Sequence, residues 1–307
     1  MKTLIILNPI SGRGYAGKAA PDIEACLRAH GLDFALTRTA RPWHAAEIAE
    51  QAAKNGYDLV VSASGDGTAN EVVNGLMRAR AAGFNGTAFS ILPVGTGNDM
   101  AYSLGVRGTL EETCQALAAN RRKKVDIGWV RGGDYPEGRY FANGVGIGFD
   151  AAVGFAAVKI RWARGLLAYL IAVIQTVFFY YKAPQVRIEL DAETIEQSSL
   201  MISIMNGIRL GGGFFTAPDG NPGDGTFDLC IAETASKARI FGLIPHFLKG
   251  TQQGQPEIKM RRSRQVTVTA LSNPFPAHCD GETLCYEGKK LEIELIPAAL
   301  EFVCAGG

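Results

Sequence analysis

The sequence predicts an α/β plus β protein: an N-terminal doubly wound α/β domain followed by an antiparallel, β-rich C-terminal domain. Three observations predict it. Short apolar runs alternate with helically spaced segments through residues 1–128. The pattern changes near Gly128 and Val130. Beyond that point the apolar runs mostly alternate apolar with polar residues, as in Val266, Val268 and Ala270.

In the first domain the runs Thr3–Leu7, Phe34–Thr37, Leu59–Ser62 and Phe89–Leu92 read as buried strands ending in turn residues. Between them, Ala45, Ile48, Ala49 and Ala52 carry helical spacing. Ligands of such sheets bind at the carboxyl ends of the strands. After Val130 the stretch RGGDYPEGR (131–139) reads as a hairpin loop. The runs Tyr140–Ile147, Gln185–Leu190, Ser199–Asn206, Thr226–Ala232, Gln265–Ala270 and Leu291–Ile296 read as strands of the second domain, residues 129–298. Leu300–Val303 is a last strand able to pair in either domain, so residues 299–307 are a candidate return to the first.

Composition narrows the function. The 307 residues are 47% hydrophobic, enough to bury two cores. There are 31 Lys and Arg against 30 Asp and Glu, a formal net charge of +1. Binding a nucleic-acid backbone needs a basic excess or stripe, so nucleic acid is not the expected partner. The six cysteines are scattered without a CxxC pair and read as reduced cytosolic thiols. The opening MKTLIILNPI is cut short by Asn8-Pro9, which fits a buried strand better than a signal peptide. Leu166–Tyr181 is nearly all apolar and is bracketed by Arg161, Arg164 and Lys182. It falls short of the roughly 18 to 20 residues that span a bilayer. A buried helix is expected, with contact to a membrane surface as the alternative.

Three glycine-rich turns each follow a predicted strand: Asn8–Gly14, Ser64–Glu71 and Pro93–Asp99. Glycine permits positive φ and lets backbone N–H groups approach a phosphate, and a helix beginning just after adds its dipole. A single such turn often does no more than close a strand-to-helix connection. Three at one sheet edge build a polyphosphate cradle. The segment Gly12–Ala19 nearly matches a P-loop, but Ala19 replaces the hydroxyl that would hold Mg²⁺, and a P-loop leaves the other two turns unexplained. Asp66, Asp99 and Asp126 sit at or beyond strand ends, and carboxylates beside phosphates suggest Mg²⁺. Taken alone, Asp99 is an N-cap and Asp126 a turn residue. In the second domain Asn221–Asp228 places Asp224 in a tight turn where carbonyls and a carboxylate suit a hard cation. Asp280-Gly281-Glu282 sits in a short turn between predicted strands, where Glu282 is placed to accept a proton from a hydroxyl.

The motifs NPISG, SGDGTANE, PVGTGND, GGGFFTAPDG, DGTFD and DGE together resemble the diacylglycerol kinase catalytic-domain superfamily. The branch it resembles most is that of the bacterial lipid kinases that include the soluble diacylglycerol kinase and YegS-type lipid kinases. The resemblance spans nearly the whole chain, in the family's motif order. One departure is Ser64-Gly65, where the family has two glycines. It implies a two-domain fold with an ATP cleft between the domains and transfer of the γ-phosphate to a lipid hydroxyl, most simply that of diacylglycerol.

The ATP contacts implied are Asn8, Pro9, Ser11, Gly12, Thr39, Gly65, Asp66, Gly67, Thr68, Asn70, Glu71 and Thr96. The Asp–water–Mg²⁺ network implied is Asp66, Asp99, Asp126 and Asp280. A structural Mg²⁺ site falls on Asp224 with backbone oxygens of Asn221 and Thr226, and the proton acceptor on Glu282. The expected setting is cytoplasmic, with the lipid reached at the inner face of the membrane. The basic segments 159–164 and 259–264 are the candidate contacts there. An NAD kinase-like enzyme and a non-catalytic nucleotide- or lipid-binding regulator are the rival readings. The form of the third turn and the intact Asp66, Asp224 and Glu282 argue against them. The acceptor lipid and the oligomeric state, a homodimer included, are left open.

Overall fold

The computed structural model describes residues 1–160, 162–163, 165–179 and 182–304. It divides into two compact units, Met1–Ile127 together with the chain from Ala298 onward, and Gly128–Pro297.

The first unit alternates β1 (Thr3–Leu7), α1 (Ser11–Ala29), β2 (Phe34–Arg38), α2 (His44–Lys54), β3 (Leu59–Ser64), α3 (Asp66–Ala81), β4 (Ala88–Pro93), α4 (Asp99–Ser103) and α5 (Leu110–Ala119). Its strands are parallel in the order β4-β3-β1-β2. Every residue of β1 and β3 is buried, as a sheet covered on both faces requires. Strand order reverses between β1 and β3, so the loops after these two strands flank a topological switch point. On one face α1 and α5 supply Ala16, Ala20, Ile23, Leu27, Cys114 and Leu117 to a core with Ile5, Leu7 and Val61. Elsewhere α2 and α3 approach at Gly75, where a Cβ would lie 2.1 Å from the Ala46 carbonyl oxygen.

The chain then runs through β5 (Arg122–Gly132), β6 (Tyr135–Phe141), β7 (Gly144–Gly148), α6 (Phe149–Lys159), α7 (Gly165–Phe179), β8 (Gln185–Leu190), β9 (Thr194–Met205), β10 (Phe227–Glu233), α8 (Lys237–Lys249), β11 (Ile258–Ser263), β12 (Gln265–Ala270), β13 (Phe275–Cys279), β14 (Glu282–Gly288) and β15 (Lys290–Val303). In the second unit the pairings β14-β13-β7-β9-β10-β11 are antiparallel. So are β9-β8-β12-β15. Long β9 serves both sets: Thr194–Ser198 pairs with β8, and Met201–Met205 with β7. Phe141, Ile202, Ile204, Phe227, Val268 and Phe275 belong to the core that these strands share. A separate core joins α6, α7 and α8 to Leu200, Cys230 and Ala232 of β9 and β10. The end of β15 returns to the first unit, where Phe302 pairs with Phe89 in parallel and Ser90 Oγ donates to the Val303 carbonyl at 2.7 Å.

Four expectations are corrected. The expected strand Tyr140–Ile147 is two strands, β6 and β7. The N–H groups of Ala142, Asn143 and Gly144 all turn to one carboxylate, that of Asp280, which a continuous strand with alternating N–H directions cannot do. The stretch 131–139 is mostly strand, its turn confined to Gly133-Asp134. Its glycines take positive φ (Gly132 122°, Gly133 57°, Gly138 87°), so they serve a tight turn and close packing rather than a loop. Leu291–Ile296 and Leu300–Val303 form one strand, β15, with Ala298 at φ 49° inside it. The basic segment 259–264 is largely strand β11 rather than a free basic face. Lys259 pairs with Glu233, Arg261 with Glu193 and Arg262 with Asp224, so acidic neighbours offset its charge.

Candidate active site

The three glycine turns of the first unit meet. After β1 the chain passes through Gly12 (φ 60°), Arg13 (59°) and Gly14 (87°) before regular helix begins. A Cβ on Gly12 would lie 2.5 Å from the Val94 carbonyl oxygen of the third turn. Asn8 Nδ2 donates to Thr68 Oγ1 at 2.7 Å, and Gly65 N–H reaches Ser11 Oγ at 3.4 Å, so the first turn is tied to the second. The second and third turns cross backbone to backbone, since a Cβ on Gly95 would sit 2.3 Å from Gly65 Cα. Such approaches are open only to glycine.

Asp66 stands at this crossing, in the first turn of α3. One carboxylate oxygen accepts the Met100 N–H at 2.9 Å. The other, with a carboxylate oxygen of Asp99, borders Gly97, whose ideal Cβ position lies 3.1 and 3.6 Å from the two. Asn98, at φ 54°, shapes the third turn by accepting from and donating to the backbone of Gly95. Thr96 is exposed at its tip, and Gly67 and Pro9 are half-buried. Thr39 extends the β2 edge, its N–H donating to the Leu7 carbonyl at 3.0 Å.

Other candidates face inward. Asn70 is fully buried and takes a hydrogen bond from Asn74 Nδ2 on its side-chain oxygen at 3.1 Å. Glu71 accepts the Ala45 N–H at 3.1 Å and so holds the start of α2. Asp126, 3% exposed, accepts the Ala298 N–H at 2.7 Å and anchors the returning chain.

In the second unit Asp280-Gly281 has φ 47° and 83°, the two positive values of a two-residue hairpin turn that favours Asp-Gly. The Asp280 carboxylate is 3% exposed and accepts the Ala142, Asn143 and Gly144 N–H groups at 2.9, 3.0 and 2.9 Å. It fastens the hairpin that presents Glu282, which is exposed at the start of β14. Near it lies Arg139, a residue 4% exposed. Burial works against its charge, but Cys279, Tyr135, Glu282 and Asp280 nearby hold its pKa above the ordinary value. The Asp224 turn is built on the Asn221 carbonyl, which accepts from Gly223 at 2.7 Å and Asp224 at 3.3 Å. Asp224 also accepts the Thr226 N–H at 3.2 Å and pairs with Arg262. Burial, then the nearby Asp224 and Asp219 against the pull of Arg262, raises the pKa of Asp228 beside it.

Sequence reasoning missed Asp150. It is buried in the first turn of α6, accepting from Tyr169 Oη at 2.7 Å and Ser203 Oγ at 3.2 Å, with His278 Nε2 at 3.7 Å. Burial pushes its pKa up, but His278, Tyr169 and Ser203 prevail and hold it below the usual value. Gly146 makes room, because a Cβ there would lie 2.3 Å from the Asp150 carboxylate. The signal was the run Gly146-Ile-Gly148-Phe-Asp150, a glycine turn with an acid opening a helix. Arg139 had no comparable signal, since it lies in a segment that reads as loop.

Comparison with known proteins places the chain. Residues 2–130 match the diacylglycerol kinase catalytic domain, and residues 143–304, more than half of the chain, match the YegS C-terminal NAD kinase beta sandwich-like domain. The chain belongs to the diacylglycerol kinase catalytic-domain family, in its YegS-type branch. It is an ATP-dependent lipid kinase. A diacylglycerol kinase of Mycobacterium tuberculosis is 27% identical over 302 residues, 98% of this chain and 94% of that one. One of Bacillus subtilis is 29% identical over 280 residues, 91% and 88% of the two chains. The crystal structure of a diacylglycerol kinase from Bacillus anthracis shares the lipid kinase's fold with a TM-score of 0.72 at 21% identity, covering 99% of this chain and 97% of that one.

Proposed function

We infer that this lipid kinase phosphorylates the free hydroxyl of diacylglycerol, giving phosphatidic acid. The observation that carries the kinase chemistry is the joining of three glycine turns around Asp66 at the switch point of a parallel sheet. The diacylglycerol acceptor is carried over from the relatives' names, and a groove in the second unit supports it. That groove has a volume of about 540 Å³ and is lined by Phe155, Ala156, Pro276 and Tyr286 together with the polar Lys159, Gln175, Lys182, Asn273 and Glu287.

In this reading Asn8, Pro9, Ser11, Gly12, Thr39, Gly65, Gly67, Thr68 and Thr96 hold the nucleotide, with backbone N–H groups and the α3 N-terminus meeting phosphate oxygens. Asn70 and Glu71 act by bracing that helix and its neighbour. The oxygens of Asp66 and Asp99 beside Gly97 fit a hard cation that keeps most of its waters. Magnesium bound there supplies charge neutralisation to the phosphates. Asp224 with the Asn221 and Thr226 carbonyls fits a second, structural ion, for which Arg262 must yield the Asp224 carboxylate. Glu282 takes the hydroxyl proton as the phosphoryl group transfers. Asp280 positions its hairpin, and Asp126 anchors the returning strand.

The lipid lies in a bilayer, and α7 is suited to meet one. Its Ala172, Val173 and Val177 are buried, while Leu167 (57%), Ile174 (47%), Phe178 (56%) and Phe179 (79%) are exposed, with Trp162 (77%) just before it. Among the described residues no helix is long and apolar enough to cross a membrane. A helix that is apolar on its solvent side fits the membrane interface. Lys159 is exposed nearby, while Arg161 and Arg164 lie outside the described residues, as do Tyr180 and Tyr181 of the apolar segment.

The test is ADP release by the purified chain with ATP, magnesium and a panel of acceptors. Release stimulated by diacylglycerol above other lipids is expected. Release stimulated by NAD and by no lipid would overturn the reading.

A further inference from the structure

Outside the glycine turns, two helices of the first unit bring together side chains that the kinase reaction does not use. Cys26 and His30 lie four residues apart at the end of α1, a spacing that puts both on one face. Glu111 on α5 faces them. Glu111 bridges the pair, with one carboxylate oxygen 2.7 Å from His30 Nε2 and the other 3.4 Å from Cys26 Sγ. All three ligating atoms lie within 4.8 Å of one another. The Cys114 thiol of α5 is buried and is not part of this group of three. The cluster is open to solvent on one side, where the side chains of His30 and Glu111 are 23% and 72% exposed.

We propose that Cys26, His30 and Glu111 form a zinc site that clamps α1 to α5, with water in the fourth position. A tetrahedral zinc with ligands at about 2.0–2.3 Å separates its donor atoms by about 3.3–3.8 Å, so small side-chain rotations close the site around the ion. A sulfur, an imidazole and a carboxylate select zinc over magnesium, which takes oxygen ligands. A solvated His–Glu pair alone contributes little and calls for no thiol. The site lies away from the glycine turns. Cys26 lies about 16 Å along the helix from Tyr15, where regular helix begins, at about 1.5 Å per residue. Zinc binding there displaces the Cys26 thiol proton and leaves one thiolate on the metal.

The experiment uses the full chain, reduced and stripped of metal, titrated with zinc alone against a chromophoric chelator, and with cobalt as a spectroscopic stand-in. One equivalent of zinc is expected, undisturbed by millimolar magnesium. The cobalt form should show a thiolate charge-transfer band that is lost in Cys26→Ser and kept in Cys114→Ser. Cys26→Ser and His30→Ala should each weaken zinc binding at least ~100-fold, since changes even beyond the ligand shell cost 10- to 100-fold. Glu111→Gln, at an exposed position, should weaken binding while leaving the circular dichroism spectrum unchanged. Failure to compete with the chelator, equal zinc affinity in the Cys26→Ser/His30→Ala variant, or thiols that form only a disulfide and bind no zinc after reduction would each overturn the proposal. None of these outcomes depends on kinase activity.

Discussion

At the scale of single residues, Asp66 and Glu282 carry the sharpest expectations. Asp66 holds the first turn of α4 through Met100 N–H and turns its second oxygen toward Gly97, so removing it strips both a brace and a carboxylate from the glycine turns. Asp66→Ala and Glu282→Gln should each lower kcat at least ~100-fold in folded protein, the low end for losing electrostatic or acid–base help. Near-normal turnover of Glu282→Gln would remove that residue from the base role. Gly95 has no room for a side chain against Gly65. Gly95→Ala should destabilise the first unit by about 1–3 kcal/mol, as overpacking does, and raise KM for ATP.

Asp150 makes a prediction in pH. Its folded pKa lies below the ordinary carboxylate value, so its contribution to stability is present above the unfolded pKa of about 3.9 and is lost as pH falls through the folded value. Asp150→Asn should therefore flatten the acid limb of a denaturation-midpoint series below about pH 4. Asp150→Ala should cost about 3–5 kcal/mol at neutral pH, as loss of one member of a buried pair does. An unchanged acid limb in Asp150→Asn would show that His278 and Tyr169 do not sense that charge.

At the scale of elements, α7 and β11 show how differently two sequence signals fare. The apolar run of α7 reads as a helix and is one. Pattern alone could not divide its faces, because nearly every residue is apolar. Packing against α6, α8 and β9 decided which side is covered. Leu167→Ser with Phe178→Ser should cut sedimentation with anionic vesicles at least several-fold while leaving hydrolysis of ATP without lipid unchanged. Equal sedimentation would show that the exposed face does not meet lipid. In β11 the basic run was legible, but its neutralisation was not. The acidic partners Glu193, Glu233 and Asp224 lie 68, 26 and 38 residues away along the chain, brought opposite only by strand pairing and turns.

At the scale of the whole molecule, lipid phosphorylation requires the nucleotide, a cation and an acceptor hydroxyl together. Removing divalent cations with EDTA should abolish ADP release, and magnesium should restore it. Turnover that persists without divalent cations would break the assignment of Asp66 and Asp99 to a cation.

The sequence by itself determined the alternation of strands and helices, the change to antiparallel β, and the family, because these are written in local periodicity and in contiguous motifs. It also singled out the glycine turns, whose chemistry is short-range. Tertiary structure decided what depends on distant partners. It turned Asp280 into a clasp on three backbone N–H groups and split one expected strand in two. It sank Asn70 out of solvent, buried Asp150 beside His278, and drew Cys26 and His30 to Glu111. A side chain's role follows from the groups folded against it, and those groups lie beyond the reach of any local pattern.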